Sequence, residues 1–94
     1  MLLDPEEFFK HDEKQLAEQW HDRLEQNVRA LLRQQDNFVV WGSFAEVFDG
    51  VVGVAREKHL RVALKRLHVA GVTSSDSKGS LYDKRVVRAA EAQP

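Results

Sequence analysis

Residues 57–87 constrain the fold more than any other part of this chain. They contain an amphipathic helical pattern, a glycine, and then two short β-prone runs at 72–74 and 81–87. Between those runs lie Asp76, Ser77, Lys78 and Gly79, the residue types that hairpin turns use. A helix followed directly by a hairpin predicts a small domain that is mainly α with a small β-hairpin.

The helical pattern in this segment runs from residue 56 to residue 70. At 100° per residue its apolar side chains fall on one side and its basic ones on the other. The apolar set is Leu60, Ala63, Leu64, Leu67 and Ala70. The opposite, basic set is Lys58, Arg61, Lys65 and His68. Gly71 stands where a helix C-cap is expected.

A second apolar periodicity precedes it and is the clearest in the chain. Apolar residues recur every three to four positions, without Gly or Pro, at Leu16, Trp20, Leu24, Val28 and Leu31/Leu32. The spacing predicts a long amphipathic helix that ends near Gln35. This stripe is longer than a three-helix core requires. We therefore expect a homodimer or partner interface formed by Leu16, Trp20, Leu24 and Val28.

Before this helix, Asp4-Pro5-Glu6-Glu7 has the pattern of a helix start, with Asp4 as N-cap and Glu7 completing a capping box. Residues 11–14 contain no apolar side chain, which predicts a break or bend there. The expected division is an N-terminal helical extension at 1–14, a compact domain at 15–88 and a flexible tail at 89–94.

Between the two long helical patterns, residues 38–41 form a short β-prone run. Ser43 and Glu46 then match a second capping box, which predicts a short helix that buries Phe44, Val47 and Phe48. That helix should stop near Asp49 and Gly50. The link from residue 49 to residue 55 is longer and more apolar than a tight helix-turn-helix turn.

Composition limits the class of protein. Ninety-four residues allow one domain, and the absence of cysteine excludes disulfides and thiolate metal sites. No apolar run reaches the roughly 18 residues of a membrane span, and no signal peptide is visible, so we expect no membrane insertion and a cytoplasmic or nuclear location. The net charge of −1 conceals an acidic first half, residues 1–52, and a basic second half, residues 53–94.

The order of elements resembles the winged helix-turn-helix superfamily over residues 16–87. The pattern HLxxALxRLxxAG, followed by Gly79 before Tyr82, is similar to the ending of ArsR- and MarR-type regulators. Its residues here are His59, Leu60, Ala63, Leu64, Arg66, Leu67, Ala70 and Gly71. The resemblance implies a DNA-binding protein in transcription regulation, with recognition helix 56–70 and wing 72–87.

Under that resemblance the basic helix enters the major groove of double-stranded DNA. Arg61 and Lys65 are then the expected base-edge donors, because Arg and Lys pair with guanine acceptors. Lys58 and His68 lie on the same helix side. Phosphate or minor-groove contacts fall to Lys78, Lys84 and Arg85.

The alternative is a protein-protein interaction module, such as an adaptor or complex subunit. Residues 45–53, AEVFDGVVG, are similar to the AxxFEALVG segment of costars-domain proteins, which are small winged helices linked to actin regulation. The acidic N-terminal half of the chain suits such a role as well. The sequence leaves both classes of function open.

No residue pattern in the sequence indicates a catalytic or metal site, so we expect no enzymatic activity, no cofactor and no bound metal. His21 has Glu18 and Glu25 at helical spacing, but a zinc site normally needs three or four convergent ligands. His68 with Ser74, Ser75 and Asp76 lies in an expected hairpin with no cleft. Trp20 and Trp41 are interpreted as core residues rather than ligand platforms.

Overall fold

The computed structural model describes the backbone of residues 5–89 and the side chains of residues 14–89. Three helices are present, α1 (Pro5–Gln34), α2 (Phe44–Val47) and α3 (Glu57–Val69). A 3₁₀ turn at Trp41–Ser43 precedes α2. Two short strands, β1 (Asn37–Val39) and β2 (Arg85–Val87), pair antiparallel with Phe38 opposite Val86. The expected mainly α domain with a small antiparallel β element is confirmed.

α1 is one continuous helix of 30 residues. The predicted break at 11–14 is therefore wrong: Glu13 and Lys14 are good helix formers, and the lack of apolar residues in this stretch does not interrupt the helix. The Asp4 and Glu7 cap lies outside the described residues. Between Lys14 and Arg23 no α1 side chain is buried, so this part projects beyond the core.

The core lies where α3 packs on the second half of α1. Fully buried side chains come from both helices and from the short elements around them: Leu24, Val28, Val40, Val47, Leu60, Ala63, Leu64, Leu67, Leu81 and Val86. The predicted stripes on α1 and α3 are confirmed from Leu24 onward and from Leu60 to Leu67. Ala70, assigned to the same stripe, is exposed.

α3 ends with the glycine cap that the sequence predicted. Gly71 has φ +79°, a conformation that side-chain-bearing residues rarely adopt. The Gly71 N–H donates to the His68 carbonyl, and the Val72 N–H donates to the Leu67 carbonyl at 2.9 Å. These two bonds form a Schellman motif, which turns the chain from the helix toward the β element.

The prediction of a second capping box, formed by Ser43 and Glu46, is wrong. Ser43 precedes α2, but its side chain makes no capping hydrogen bond. At the other end of this short helix, side chains of α1 donate hydrogen bonds to the free backbone carbonyls. Asn27 donates from Nδ2 to the Val47 carbonyl and the Asp49 carbonyl, each at 2.9 Å, and Arg23 donates to the Asp49 carbonyl at 3.0 Å. Contacts across 20 to 26 residues thus hold α2, and sequence spacing could not indicate them.

The predicted hairpin differs from the one observed. Thr73 bridges Arg88, and its hydroxyl donates to the Val87 carbonyl at 2.6 Å, so residues 72–74 do pair with the last strand. The second strand begins only at Arg85, however, and residues 75–84 form a loop rather than a tight turn at 76–79. Leu81 is fully buried and needs this longer path to reach the core.

Candidate nucleic-acid interface

The seven basic residues expected at a nucleic-acid surface divide into two groups in the structure. Four are exposed, and no salt bridge or side-chain hydrogen bond joins them to the other described residues: Lys58, Lys65, His68 and Lys78. The other three, Arg61, Lys84 and Arg85, bind groups of this chain. The structure therefore leaves fewer cations available than the sequence suggests.

Arg61 ties α3 to the 75–84 loop. Its Nη2 atom lies 2.9 Å from Glu57 Oε1 and donates to the Gly79 carbonyl at 3.0 Å, while its Nη1 atom donates to the Ser77 carbonyl. These bonds place residues 77–79 against the exposed side of α3. The guanidinium expected to read a base edge is occupied by the backbone of the loop.

The loop is also held from within. The Asp76 carboxylate accepts the Lys78 N–H and the Lys84 ammonium, each at 3.0 Å. These two contacts, the backbone N–H first, lower the pKa of Asp76 below its ordinary value. The Arg85 guanidinium donates to Asn37 Oδ1 on β1. Lys84 and Arg85 therefore stabilise the loop and its strand, while the Lys78 side chain remains exposed.

The opposite flank of α3 faces acidic residues of α1. Arg66 lies 2.5 Å from Glu18, 3.4 Å from Glu25 and 3.7 Å from Asp22. The hydrogen bond from Arg66 is the main cause that lowers the pKa of Glu18, and the same bond raises the pKa of Arg66. Local sequence patterns do not predict this cluster, because Arg66 lies 41 residues from Glu25 and 48 residues from Glu18 in the chain.

His59 lies buried between α1 and the start of α3, with 6% of its surface exposed. Its Nδ1 atom accepts the Arg56 N–H at 2.8 Å, which replaces a conventional capping side chain. Its ring meets Trp20 edge-to-face at 4.9 Å and lies 5.6 Å from the His21 ring. Burial first, then the positive charges of His21, Lys58 and Arg56, lower the pKa of His59.

Trp41 is not a core residue, so that interpretation is wrong. Its side chain is 65% exposed because the 3₁₀ turn carries it out of the strand register that buries Phe38 and Val40. The indole meets the rings of Phe44 at 5.5 Å and Tyr82 at 5.7 Å, edge-to-face in both cases. Trp20, in contrast, is half-buried and packs against the core.

The four residues expected at a dimer or partner interface differ in burial. Leu24 and Val28 are fully buried inside a single chain, so a second copy could reach them only if the core opened. Leu16 is 36% exposed and Trp20 is half-buried. Within this set of four residues, only Leu16 and Trp20 are therefore accessible to a second copy.

Other chemistry receives no support from residues 14–89. No three His, Asp or Glu side chains in that range converge as metal ligands, although His21 Nδ1 lies 3.2 Å from Glu18. The Ser75 hydroxyl donates to the Arg85 carbonyl and accepts the Val87 N–H, so it serves the β element. Within the described part of the chain, none of the helices has the length and apolar character to span a bilayer.

Comparison with known proteins finds no matching family model, no matching curated protein and no matching solved structure.

Proposed function

We propose that this chain is a winged helix-turn-helix domain that binds duplex DNA as a transcription regulator. α1, β1, α2 and α3 follow one another in the order of that fold, and β2 with the 75–84 loop stands in the position of the wing. α3 would be the recognition helix. A role on DNA would place the protein in a bacterial cytoplasm or a nucleus.

The observation that carries this proposal is the pair of bonds from Arg61 to the loop. They hold Lys78 beside the exposed side of α3, where Lys58, Lys65 and His68 lie. A helix and a loop that together present cations without an ion-pair partner among the described residues match the two contacts of a winged helix, one with the groove and one with the phosphate backbone. We call Lys58, Lys65, His68 and Lys78 the basic surface.

The structure also changes the role of individual residues within this proposal. Lys65, on the exposed ridge of α3, is the leading candidate for a base edge, and Lys78 for a phosphate. Arg61 would act indirectly, by positioning the loop. Val62 and Val69 alternate with the lysines along the same ridge, and such apolar side chains can contact thymine methyl groups.

A duplex-binding titration tests this proposal. Wild-type protein should bind a mixed-sequence duplex at 50 mM salt and lose about 10- to 100-fold in affinity at 200 mM, as expected for a few phosphate contacts. The variant K65E/K78E should lose binding at both salts. The matched control R29E/R33E makes the same change in net charge on α1 and should bind like wild type.

Circular dichroism would establish that both variants retain the fold. Absence of wild-type association at 50 mM salt, or equal loss of binding in the control, would overturn the proposal.

A second candidate function is the protein-interaction module, including a costars-like regulator. The observation that favours it is the exposed Trp41 beside Phe44 and Tyr82, because exposed aromatic side chains are enriched at protein interfaces. The carboxylates around Arg66 agree with it too, since they would repel a nearby phosphate backbone. Duplex binding that K65E/K78E abolishes would count against this candidate.

A further inference from the structure

A small cleft lies between the last two turns of α1 and the residues at either end of the segment 72–88. Its volume is about 330 Å³. The described residues that line it are three arginines, Arg29, Arg33 and Arg88, and two apolar residues, Leu32 and Val72. None of them belongs to the basic surface. We call this feature the arginine cleft.

The positive charge in the arginine cleft exceeds the negative charge that the other described residues supply. The Arg88 guanidinium lies 3.2 Å from Asp36 Oδ1, and its Nε atom donates to the Leu32 carbonyl at 2.8 Å. No ion pair or hydrogen bond joins the side chains of Arg29 and Arg33 to the rest of residues 14–89. Three arginines against one aspartate leave a net charge of +2 there.

The position of the cleft at a helix end accounts for only one of these arginines. Arg33 lies in the last turn of α1, where the negative end of the helix dipole stabilises a cation. Arg29 lies one turn earlier on the same side of the helix, so its guanidinium and that of Arg33 repel each other. Arg88 brings a third guanidinium from the segment after β2. An anion bound among the three would relieve this repulsion.

Charge and lining together define the class of anion. Guanidinium groups bind phosphate and carboxylate oxygens through paired N–H donors. A phosphate monoester carries a charge of about −2 at neutral pH, which matches the cleft, whereas a carboxylate carries half of that charge. The floor of the cleft is apolar, because Leu32 is buried and Val72 packs against the core. A volume of about 330 Å³ is in the range of small-molecule sites.

We propose that the arginine cleft binds a small phosphate monoester that carries an apolar group. The phosphate lies between Arg29 and Arg33 and within reach of Arg88, while the apolar group covers Leu32 and Val72. This site uses no residue of the basic surface and does not depend on DNA binding.

An NMR titration of isotope-labelled protein with phenyl phosphate, in phosphate-free buffer, tests this site. The backbone amides of Leu32 and Val72 should shift and saturate with a dissociation constant on the order of 0.1–1 mM. Inorganic phosphate lacks the apolar group and benzoate lacks the second charge. Each should therefore bind at least about 5-fold more weakly than phenyl phosphate.

The variant R29Q/R33Q removes the two arginine charges that have no described partner, and glutamine keeps a good helix former at both positions. Its affinity for phenyl phosphate should fall by at least about 10-fold, because charged hydrogen bonds are lost. The matched control K58Q/K65Q removes two cations from α3 instead and should bind like wild type. Circular dichroism would establish that both variants are folded.

Absence of saturable shifts at Leu32 and Val72 up to about 5 mM phenyl phosphate would overturn the proposal, and this result needs only the wild-type protein. Equal affinity in R29Q/R33Q and wild type would overturn it too, as would equal affinity for inorganic phosphate and phenyl phosphate. Loss of duplex binding in R29E/R33E would assign the cleft to the DNA backbone and contradict a small ligand. Failure of wild-type protein to bind duplex DNA would overturn the proposed function alone.

Discussion

The two sides of α3 are held in different ways. Toward α1 the contact is mainly apolar, with Leu60, Leu64 and Leu67 fully buried. Toward the 75–84 loop it is polar, because Arg61 binds two backbone carbonyls and Asp76 closes the loop on itself. Apolar burial holds the domain together, whereas hydrogen bonds set the position of a surface loop. The same helix thus contributes stability on one side and presents a candidate binding surface on the other.

The largest effect should follow from a change on the apolar side. Leu64→Ala removes a fully buried side chain and leaves a cavity, so the free energy of unfolding should fall by about 2–5 kcal/mol. Val69→Ala, five residues along the same helix, is the control. Val69 is 78% exposed, and its loss should change stability by no more than about 0.5 kcal/mol. Urea denaturation measures both; equal effects would contradict the assignment of the core.

A smaller effect should come from the histidine between α1 and α3. Because the pKa of His59 is lowered below 6.5 in the folded protein, the unfolded chain binds a proton more readily. The stability contributed by neutral His59 is therefore complete above about pH 6.5, the unfolded value, and is lost as the pH falls toward the folded pKa. A protonated Nδ1 atom of His59 could also no longer accept the hydrogen bond from the Arg56 N–H.

The variant His59→Gln isolates this effect. Glutamine can accept the same N–H at this third helical position but does not titrate. The fall in unfolding free energy between about pH 7.5 and pH 5.5 should shrink in H59Q and persist in H68Q, which alters an exposed histidine. His21, Lys58 and Arg56 face His59 and stay unchanged in both variants. An identical pH dependence in H59Q and wild type would disprove this role.

The smallest effect on global stability should come from the polar side. Arg61→Ala removes a partly exposed side chain, so the free energy of unfolding should fall by less than about 1 kcal/mol. The loop should nevertheless loosen, and amide hydrogens of residues 77–80 should exchange faster with solvent. Lys58→Ala, on the same helix, should leave that exchange unchanged. Unaltered exchange in R61A would mean that the loop does not depend on Arg61.

Local patterns of the sequence predicted the elements well. Periodicity located α1 and α3 and most of their buried faces, and the position of Gly71 indicated the end of α3. The errors occurred where side chains act across long separations. Asn27 binds a carbonyl at the C-terminal end of α2 from 20 residues away, a contact that local spacing does not show, and Ser43 makes no capping bond at the other end. The requirement to bury Leu81 lengthened the loop beyond the predicted four-residue turn.

The candidate surface was predicted only in part, for the same reason. Helical spacing correctly brings Lys58, Arg61, Lys65 and His68 to the outer side of α3. It carries no information on which cations meet a partner within the chain, because that depends on what packs beside the helix. Arg61 and Arg66 each reach groups at least 16 residues away, and Trp41 is exposed because the chain turns at that point.

Periodicity and glycine placement are properties of neighbouring residues, so the sequence was sufficient for a helical domain with a small β element and for the composition of each face. Packing brought together residues far apart in the chain. It determined that Arg61 and Lys84 hold a loop, while Lys65 and Lys78 form no ion pair with the other described residues. These outcomes depend on distances of a few ångströms between separate elements, over which hydrogen bonds and ion pairs are made or lost.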